Sequence, residues 1–375
     1  GLMTATILAG VFLIIMGFCH FGSLIKFIPY TITTGFTSGI AVTIVIGQLK
    51  DFCGVTYPDG VKPIETMEKL KAFAENFSTI SPDALIVGGV SLAILIVSPL
   101  IFKKIPGSLI AVIAGILMVQ FLPLHVSTIG NLYTISNALP TLHLPVFDMK
   151  LIQSAIPNAF TIAVLAAIES LLSCVVADGM INSKHRLDTE LIAQGAGNIA
   201  SALFGGIPAT GAIARTAANI KNGGRTPVAS MVHSITLVIV LVVLMPFAGM
   251  IPMPTIAAIL FLVAYNMCQW RTFVHLVRTA PKSDIIVLFT TFVLTVVFDL
   301  VVAIEIGMVL ACLLFIKRMS EETHADSWVY VDDDSPAVDE HLQKLPLEIR
   351  VYEITGPLFF GAADAIEHIV VKDFT

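Results

Sequence analysis

The sequence predicts an all-α protein that crosses a lipid bilayer many times and ends in the start of a small α/β domain. Of its 375 residues, 56% are hydrophobic and only 13% are charged, and the mean hydropathy is +0.90. Soluble domains carry about 25% charged residues, so this composition is typical of a polytopic membrane protein. A second observation is that the apolar residues form long segments separated by polar or Pro/Gly-containing breaks. A third is that the composition changes after Arg318.

Eleven apolar segments are expected to be membrane helices. Several are shorter than the roughly 20 residues that a helix perpendicular to the bilayer needs, so we expect some of them to be half-helices or to stop inside the bundle. The segments are Thr4–Cys19, Ile28–Leu49, Asp83–Phe102, Pro106–Leu122, Pro157–Ala177, Leu191–Phe204, Thr210–Ile220, Pro227–Phe247, Ile251–Cys268, Ser283–Phe298 and Leu300–Ile316.

The basic residues between the segments predict the orientation. Alternate connections hold twelve of the 21 Lys and Arg residues, whereas the basic residues of the opposite connections lie mostly in one long loop that is also rich in Asp and Glu. Because cytoplasmic loops carry an excess of Lys and Arg, the C-terminus is expected to be cytoplasmic. With eleven crossings the first segment would then enter from outside, and we expect further helices to precede it.

The region after the last segment predicts a change of domain. We expect a transmembrane domain over 1–318, a solvated acidic linker over 319–345 and the beginning of a soluble domain over 346–375. Residues 347–354 alternate apolar and polar, which is the period of a half-buried strand, and 362–370 have helical spacing. This last region is therefore expected to be the start of an α/β domain that the chain does not complete.

Two short stretches recur along the chain. Phe27–Ile32 resembles Met250–Ile256, and Asp83–Val87 resembles Asp284–Val287, at offsets of 223 and 201 residues. The echo favours two related halves, and repeats of inverted topology are common among secondary transporters.

The segment Phe204–Ile220 is the strongest indication of a binding site. It contains Gly205, Gly206, Pro208 and Gly211 and is too short and too interrupted to cross a bilayer. Broken helices at membrane depth are tolerated where they line a cavity. We expect Thr210 to cap the helix that follows. The N–H groups at such a helix start attract an anion.

Arg215 adds positive charge to this helix start. We expect an anion to bind there, with Arg215 buried and supplying charge. The other interpretation is an ion pair between Arg215 and a carboxylate that holds the bundle together. The candidate substrate-binding residues are Thr210, Gly211, Ala212, Ile213, Ala214 and Arg215.

Glu169 is the candidate cation-coupling residue, together with Ser173. Glu169 lies about 18 Å along its helix from Pro157, at 1.5 Å per residue, and an acidic residue at this depth costs about 2.5–3.5 kcal/mol on insertion scales. It is expected either to carry a proton or hold Na⁺, or to form a static pair with Arg215. Ser170 and Ser173 are expected either to donate hydrogen bonds to a ligand or to pack between helices. Gln194 and Asn198, which share a helix face, are expected to pack between helices.

Several classes of function are excluded by missing motifs. The chain has no P-loop, no HExxH, no GxSxG and no Cys/His metal spacing among its five cysteines. We therefore expect no enzyme, no catalytic residue, no metal site, no cofactor beyond a coupled H⁺ or Na⁺, and no nucleic-acid partner.

These residues resemble the SulP/SLC26 anion transporters, in particular the bacterial branch that includes dicarboxylate transporters. Residues 29–48 look like the fifth helix of that family, and 347–363 resemble the opening of its cytoplasmic STAS domain. Further matching stretches are Ala159–Leu172, Ala177–Met180, Glu190–Asn198, Phe204–Pro208 and Ile213–Asn219.

The resemblance implies fourteen helices in two inverted repeats of seven, a core domain that moves against a gate domain, and a homodimer. It implies that the chain begins near the fourth helix and lacks the first and third helices that line the site, so the chain as given is not expected to transport. Arg215 matches the arginine of the family's tenth helix, Glu169 its acidic residue on helix eight, and Gly211 the point where the anion meets the helix. Some members have serines in place of Ala212 and Ala214. Members coupled to Na⁺ have Asp where this chain has Glu169, which favours H⁺.

The function expected from these residues and the resemblance is secondary active transport of sulfate, bicarbonate or a dicarboxylate. Alternating access is expected, coupled to H⁺ or Na⁺ or running as an exchange. The alternatives are a nucleobase/H⁺ permease of the same fold, an uncoupled anion channel, and a membrane sensor. The predicted location is the inner or plasma membrane, and the STAS domain is expected to bind a cytoplasmic protein.

Overall fold

A computed structural model describes the chain over 1–23, 29–58, 60–102, 105–134, 138–144, 148–298, 300–321, 324–329 and 350–355. The helices are α1 Leu2–Phe18, α2 Tyr30–Cys53, α3 Thr66–Glu75, α4 Pro82–Ile101, α5 Gly107–Phe121, α6 Ile129–Leu132, α7 Met149–Ile181, α8 Leu187–Leu203, α9 Ile213–Lys221, α10 Val228–Ile239, α11 Met245–Ala248, α12 Met253–Met267, α13 Trp270–Thr279, α14 Lys282–Val297 and α15 Leu300–Glu321. A π-helical turn, Val240–Leu244, joins α10 to α11, and the two strands are β1 His324–Val329 and β2 Arg350–Thr355.

The fold class predicted from the sequence is confirmed. Every predicted apolar segment corresponds to a helix, while α3, α6 and α13 were not predicted because their apolar content is too low or their length too short. Among the described residues, five helical stretches are long and apolar enough to cross a membrane: Tyr30–Cys53, Pro82–Ile101, Met149–Ile181, Val228–Ala248 and Met253–Thr279. The apolar helices α1 and α5 are shorter.

Helix α7 begins eight residues before its predicted start at Pro157. Proline is expected at the first turn of a helix, because it has no N–H to donate to the preceding turn. Here Pro157 lies inside the helix, and the first turn is instead capped by Asp148, whose carboxylate accepts a hydrogen bond from the Lys150 N–H at 3.1 Å. The helix that carries Glu169 is therefore 33 residues long.

One group of helices consists of α1, α7, α8 and α9. Helix α1 packs along both α7 and α8, and α9 packs on α7. Gly10 of α1 and Gly195 of α8 face each other so closely that a Cβ on either would clash with the backbone oxygen of the other. The buried core of this group is built from small and aliphatic side chains, which permit close helix packing in a bilayer; it includes Ala9, Leu13, Ala159, Ala163, Ala167, Leu171 and Leu191.

A second group consists of α2, α4, α5, α12, α14 and α15, and its contacts repeat in pairs. Helix α2 packs on α14 as α12 packs on α4, α14 packs on α15 as α4 packs on α5, and α2 contacts α15 as α12 contacts α5. The central pair is α2 with α12. This pattern is that of two repeats, α2–α4–α5 and α12–α14–α15, related by a pseudo-two-fold axis.

The central pair also shows that the repeat is inverted. Near the start of α2, the Ser38 hydroxyl donates to the carbonyl oxygen of Cys268, just past the end of α12, at 2.7 Å. Near the end of α2, the Phe52 ring lies 4.9 Å from the Phe261 ring. The two helices therefore run antiparallel. Pro29 and Pro252, which correspond in the sequence echo, each immediately precede one of them.

The C-terminal strands modify the predicted linker. Strand β1 pairs antiparallel with β2, with His324 opposite Thr355 and Val329 opposite Arg350. Strand β2 overlaps the strand expected over 347–354. Strand β1, however, lies inside the range expected to be linker, because the polar composition of 319–345 hid a pairing partner. The helix expected over 362–370 lies outside the described residues, and the proposed domain limits remain predictions.

Candidate functional site

The chain between α8 and α9 is held in a fixed path by side chains of α8. Asn198, which is 2% exposed, donates from Nδ2 to the Ala209 carbonyl oxygen at 2.8 Å and accepts at Oδ1 from the Ala209 N–H at 2.8 Å. Three residues further along α8, the Ser201 hydroxyl donates to the Ile207 carbonyl oxygen at 2.9 Å. The segment 204–212 is thus tied to α8 at two points although it has no regular structure itself.

The same segment lies against one face of α7. The Thr210 hydroxyl donates to the Ala166 carbonyl oxygen at 3.0 Å, and the Ser173 hydroxyl donates to Thr216 Oγ1 at 2.8 Å. Between these two contacts, a Cβ on Gly211 would come within 3.2 Å of the Ser170 Cα. The spacing 166, 170, 173 is one face of a helix, so α7 offers a continuous wall to the start of α9.

Helix α9 begins three residues after its predicted cap. The N-cap residue is Ala212, with extended φ −124° and no side-chain cap, and the first intrahelical bond runs from the Thr216 N–H to the Ala212 carbonyl oxygen at 2.9 Å. The prediction that Thr210 caps this helix is therefore wrong, because its hydroxyl is used by α7. The N–H groups of Ile213 and Arg215 precede that first bond and have no acceptor in the described part of the chain, so they are available to a ligand.

The side chain of Arg215 is exposed, which corrects the expectation of a buried cation. Among the described residues no carboxylate lies within ion-pair distance of its guanidinium, so the static ion pair considered for it is not found there. Arg215 sits in the first turn of α9, next to Thr216, which is bonded to Ser173. The positive charge of its guanidinium is therefore close to the N–H groups at the start of α9 and can attract an anion there.

Glu169 lies on the border of the α7 wall. It is three residues from Ala166 and four from Ser173, so it shares their side of the helix, and its side chain is half-buried. No ion pair to Glu169 is present in the described part of the chain. The hydroxyl of Ser173, the second candidate for cation coupling, is occupied by Thr216.

A second carboxylate, Glu190 of α8, reaches the same wall and was not identified as a site residue from the sequence. Its Oε1 accepts hydrogen bonds from the Ser170 hydroxyl at 2.7 Å and from Gln194 Nε2 at 3.3 Å. The signal that could have indicated it is the i, i+4 spacing of Glu190, Gln194 and Asn198. Gln194 and Asn198 were expected only to pack between helices, but with Glu190 they hold Ser170 and Ala209 in place.

The remaining polar groups nearby do not form a metal site. Within the described ranges, no three His, Cys, Asp or Glu side chains come together in a way that could bind a metal ion. The pair of Asp178 and His185, 2.7 Å apart at the end of α7, joins two side chains only.

Comparison with known proteins shows relatives along nearly the whole chain. "Putative sulfate transporter YvdB" of Bacillus subtilis (strain 168) is 38% identical over 99% of this chain and 68% of its own length. "Bicarbonate transporter BicA" of Picosynechococcus sp. (strain ATCC 27264 / PCC 7002 / PR-6) is 34% identical over 99% of this chain and 66% of its own length. The chain thus spans about two thirds of the length of these relatives. Both carry the names of transporters, in agreement with the prediction that this chain is not an enzyme.

The solved structures and the family description agree with this. The transmembrane domain of a cyanobacterial bicarbonate transporter, BicA, matches with a TM-score of 0.67 and 29% identity, covering 82% of this chain and 75% of that one. The description of the sulfate permease family matches residues 2–291. Because that match extends over well more than half of the chain, the chain belongs to the sulfate permease (SulP) family, as its resemblance to the SulP/SLC26 transporters predicted.

Proposed function

We propose that the protein carries a small anion across the membrane by secondary active transport, and that the anion binds at the start of α9. The observation that carries the proposal is the pair of N–H groups at Ile213 and Arg215 beside the α7 wall, which have no hydrogen-bond acceptor among the described residues. A helix N-terminus with free N–H groups favours negative charge, and the exposed guanidinium of Arg215 adds to that potential.

The proposed substrates are sulfate, bicarbonate and small dicarboxylates. Sulfate and bicarbonate are the substrates in the names of the relatives. Dicarboxylates belong to the expectation from the family resemblance. All three present oxygen atoms with negative charge, which backbone N–H groups and a guanidinium can bind.

We further propose that movement of the anion is coupled to H⁺ or Na⁺, or to a counter-anion, by alternating access. The helices form one group that holds the site, α1, α7, α8 and α9, and a second group with its own inverted repeat. Motion of one group against the other would expose the site to each side in turn. Glu169 is the proposed cation-coupling residue, because it is a half-buried carboxylate on the wall that faces the site.

The proposed setting is the cell membrane, with a cytoplasmic C-terminus and two copies in a homodimer. The excess of Lys and Arg in alternate connections supports this orientation. The proposed cytoplasmic STAS domain would bind a protein partner.

Uptake into proteoliposomes tests the proposal. The full-length protein is reconstituted and offered labelled sulfate, bicarbonate or succinate, with and without an inward proton or sodium gradient. We expect gradient-dependent uptake of at least one anion, and loss of that uptake in Arg215→Ala. Uptake without any accompanying proton or sodium movement would indicate a channel or an exchanger. Failure of a correctly folded protein to take up any anion, together with uptake of uracil, would favour a nucleobase permease.

A further inference from the structure

Helix α13 is set apart from the membrane helix before it. The stretch Met253–Thr279 is long and apolar enough to count as one span, yet Gln269 adopts a left-handed conformation, φ 44°, and divides it into α12 and α13. A left-handed residue that is not glycine turns the chain sharply. Helix α13 therefore leaves the axis of α12 and returns to the start of α14 after ten residues.

The apolar side of α13 is anchored to the protein. The ring of Phe273 lies 5.6 Å from the ring of Phe289 and 5.5 Å from that of Phe292, both on α14. Thr272, Leu276 and Val277 are half-buried on the same side. The helix therefore has a fixed rotation, and its other side is directed away from the bundle.

The opposite side of α13 carries Arg271, His275 and Arg278, whose spacing i, i+4 and i+7 places them on one face of the helix. After the extended residues Ala280 and Pro281, Lys282 follows as the first residue of α14. We define these four exposed residues, Arg271, His275, Arg278 and Lys282, as the basic stripe. Over the described ranges none of them forms an ion pair, and Arg271 lies over the Trp270 ring at 5.6 Å. Two permanent charges on α13 and a third at the start of α14 thus have no counter-charge among the described residues.

The position of the stripe along the chain places it at a membrane surface. It joins the end of one apolar helix to the start of the next, and it contains three of the basic residues in the connections predicted to be cytoplasmic. A tryptophan at its beginning is typical of the boundary between water and lipid. Lys and Arg side chains at this depth extend towards the phosphate groups of the lipids.

We propose that the basic stripe of α13 binds the phosphodiester headgroups of anionic phospholipids in the cytoplasmic leaflet. Each Lys or Arg near an anionic membrane surface adds to the attraction, and guanidinium groups bind phosphate through two parallel hydrogen bonds. Phe273 fixes α13 to α14, which belongs to the group of helices with the inverted repeat. A lipid bound to the stripe is therefore connected to that group through α13. This lipid site is separate from the anion site at α9.

Lipid binding to the purified full-length protein in neutral detergent tests this. Dioleoylphosphatidylglycerol or dioleoylphosphatidylcholine is added, and bound lipids are counted by native mass spectrometry. We expect tighter binding of the anionic lipid, and a loss of roughly tenfold or more in its affinity in the double variant Arg271→Gln/Arg278→Gln. The charge-matched control Lys69→Gln/Lys71→Gln on α3 should bind it as the unchanged protein does.

A charge-retaining pair keeps the test decisive if the glutamine variant folds poorly. Arg271→Lys/Arg278→Lys should keep most of the binding, and the affinity of the unchanged protein should fall as salt is added. Equal binding of both lipids, or equal loss in the α3 control, would overturn the proposal. Inorganic phosphate at millimolar concentration displacing the lipid completely would also overturn it, since the site would then be one for a free anion.

Discussion

The side chain of Asn198 on α8 forms two hydrogen bonds with the backbone of Ala209: it donates to the carbonyl oxygen and accepts from the N–H, each at 2.8 Å. The amide side chain thereby satisfies both backbone groups of Ala209, as a neighbouring strand would in a sheet. Since Ala209 is only four residues before Ile213, the first residue of α9, these two hydrogen bonds fix where the N–H groups of the proposed anion site begin. The position of the proposed site thus depends on α8, a helix that contributes none of its predicted ligands.

Asn198→Ala is expected to lower both stability and transport. The variant loses the two hydrogen bonds to Ala209 and a third to the Gln194 carbonyl oxygen, all at a buried position. Because such bonds contribute about 1 kcal/mol each, the free energy of unfolding should fall by about 3 kcal/mol. Displacement of the helix start by even 1 Å should lower the transport rate on the order of 10- to 100-fold. Thermal unfolding and proteoliposome uptake measure the two effects.

The matched control for this variant is Asn222→Ala. Asn222 has the same side chain, is exposed and donates only to the Ala218 carbonyl oxygen at 2.8 Å, at the far end of α9. Its replacement should change the free energy of unfolding by less than about 0.5 kcal/mol. If Asn222→Ala lowered stability and transport as much as Asn198→Ala, the hydrogen bonds between Asn198 and Ala209 would not be the cause of the loss.

Arg215→Ala should strongly weaken anion binding, whereas Arg225→Ala should not. Hydrogen bonds to charged groups contribute about 1.5–3 kcal/mol, so the dissociation constant should rise roughly 10- to 100-fold. Arg225 is a suitable control because it is nearby and exposed, and its guanidinium is already bonded to the Ile220 carbonyl oxygen at 3.1 Å. Calorimetric titration with the transported anion measures the difference. Unchanged affinity in Arg215→Ala would remove Arg215 from the site.

Glu169→Gln is expected to separate exchange from accumulation. If Glu169 carries the coupled proton, the neutral amide should leave anion exchange at equilibrium intact and abolish accumulation driven by a pH gradient. Counter-flow and pH-jump uptake on the same vesicles measure the two. Glu190→Gln is the comparison, because Glu190 is the other carboxylate on the wall and is bonded to Ser170. Loss of accumulation in Glu190→Gln alone would assign the coupling to α8.

Gly211→Ala should slow transport, while Gly197→Ala should be neutral. A Cβ on Gly211 would lie 3.2 Å from the Ser170 Cα and 3.4 Å from its hydroxyl oxygen, so the segment must move away from α7. A Cβ on Gly197 meets nothing within 4 Å, and alanine favours the helix by about 1 kcal/mol. Initial uptake rates at saturating anion compare the two. Equal rates would show that the approach of Gly211 to α7 does not matter.

Hydropathy and spacing were sufficient to predict the long apolar helices, though not α3, α6 and α13, because a bilayer demands long apolar segments whatever their neighbours are. They also led to the prediction of Glu169 and Arg215 as site residues, since charge is rare at membrane depth. The cap of α9 was predicted wrongly for a tertiary reason. Thr210 has the right residue type for a cap, but the carbonyl oxygen of Ala166, 44 residues away, takes its hydroxyl.

Glu190 and Asn198 were not predicted as parts of the site, for a related reason. Both lie on α8, whose sequence indicates an ordinary packed helix, and their partners Ser170 and Ala209 are 20 and 11 residues distant. Strand β1 was hidden in the same way, because its pairing with β2 bridges the acidic region predicted to be linker. These roles depend on contacts between different helices and strands, and the periodicity of one segment's sequence carries no information about such contacts.

The contact between α2 and α14 gives the last prediction, which concerns stability alone. A Cβ on Gly35 would lie 2.6 Å from the Leu288 carbonyl oxygen, a distance that real side chains do not adopt, and the obstacle is backbone, which cannot rotate away. Gly35→Ala should therefore separate the two helices and lower the free energy of unfolding by about 1–3 kcal/mol. Gly47→Ala in the same helix is the control, because a Cβ there meets nothing within 4 Å and should be neutral or slightly stabilising. Unfolding in detergent, followed by thermal shift, compares them.

By the pseudo-two-fold axis, the contact of α12 with α4 is equivalent to that of α2 with α14, but it is made by Ser91 and Thr255, whose hydroxyls are 2.9 Å apart. Ser91→Ala should therefore cost only about 1 kcal/mol, the net contribution of one hydrogen bond. A loss in Ser91→Ala as large as in Gly35→Ala would mean that the two halves are held together in the same way.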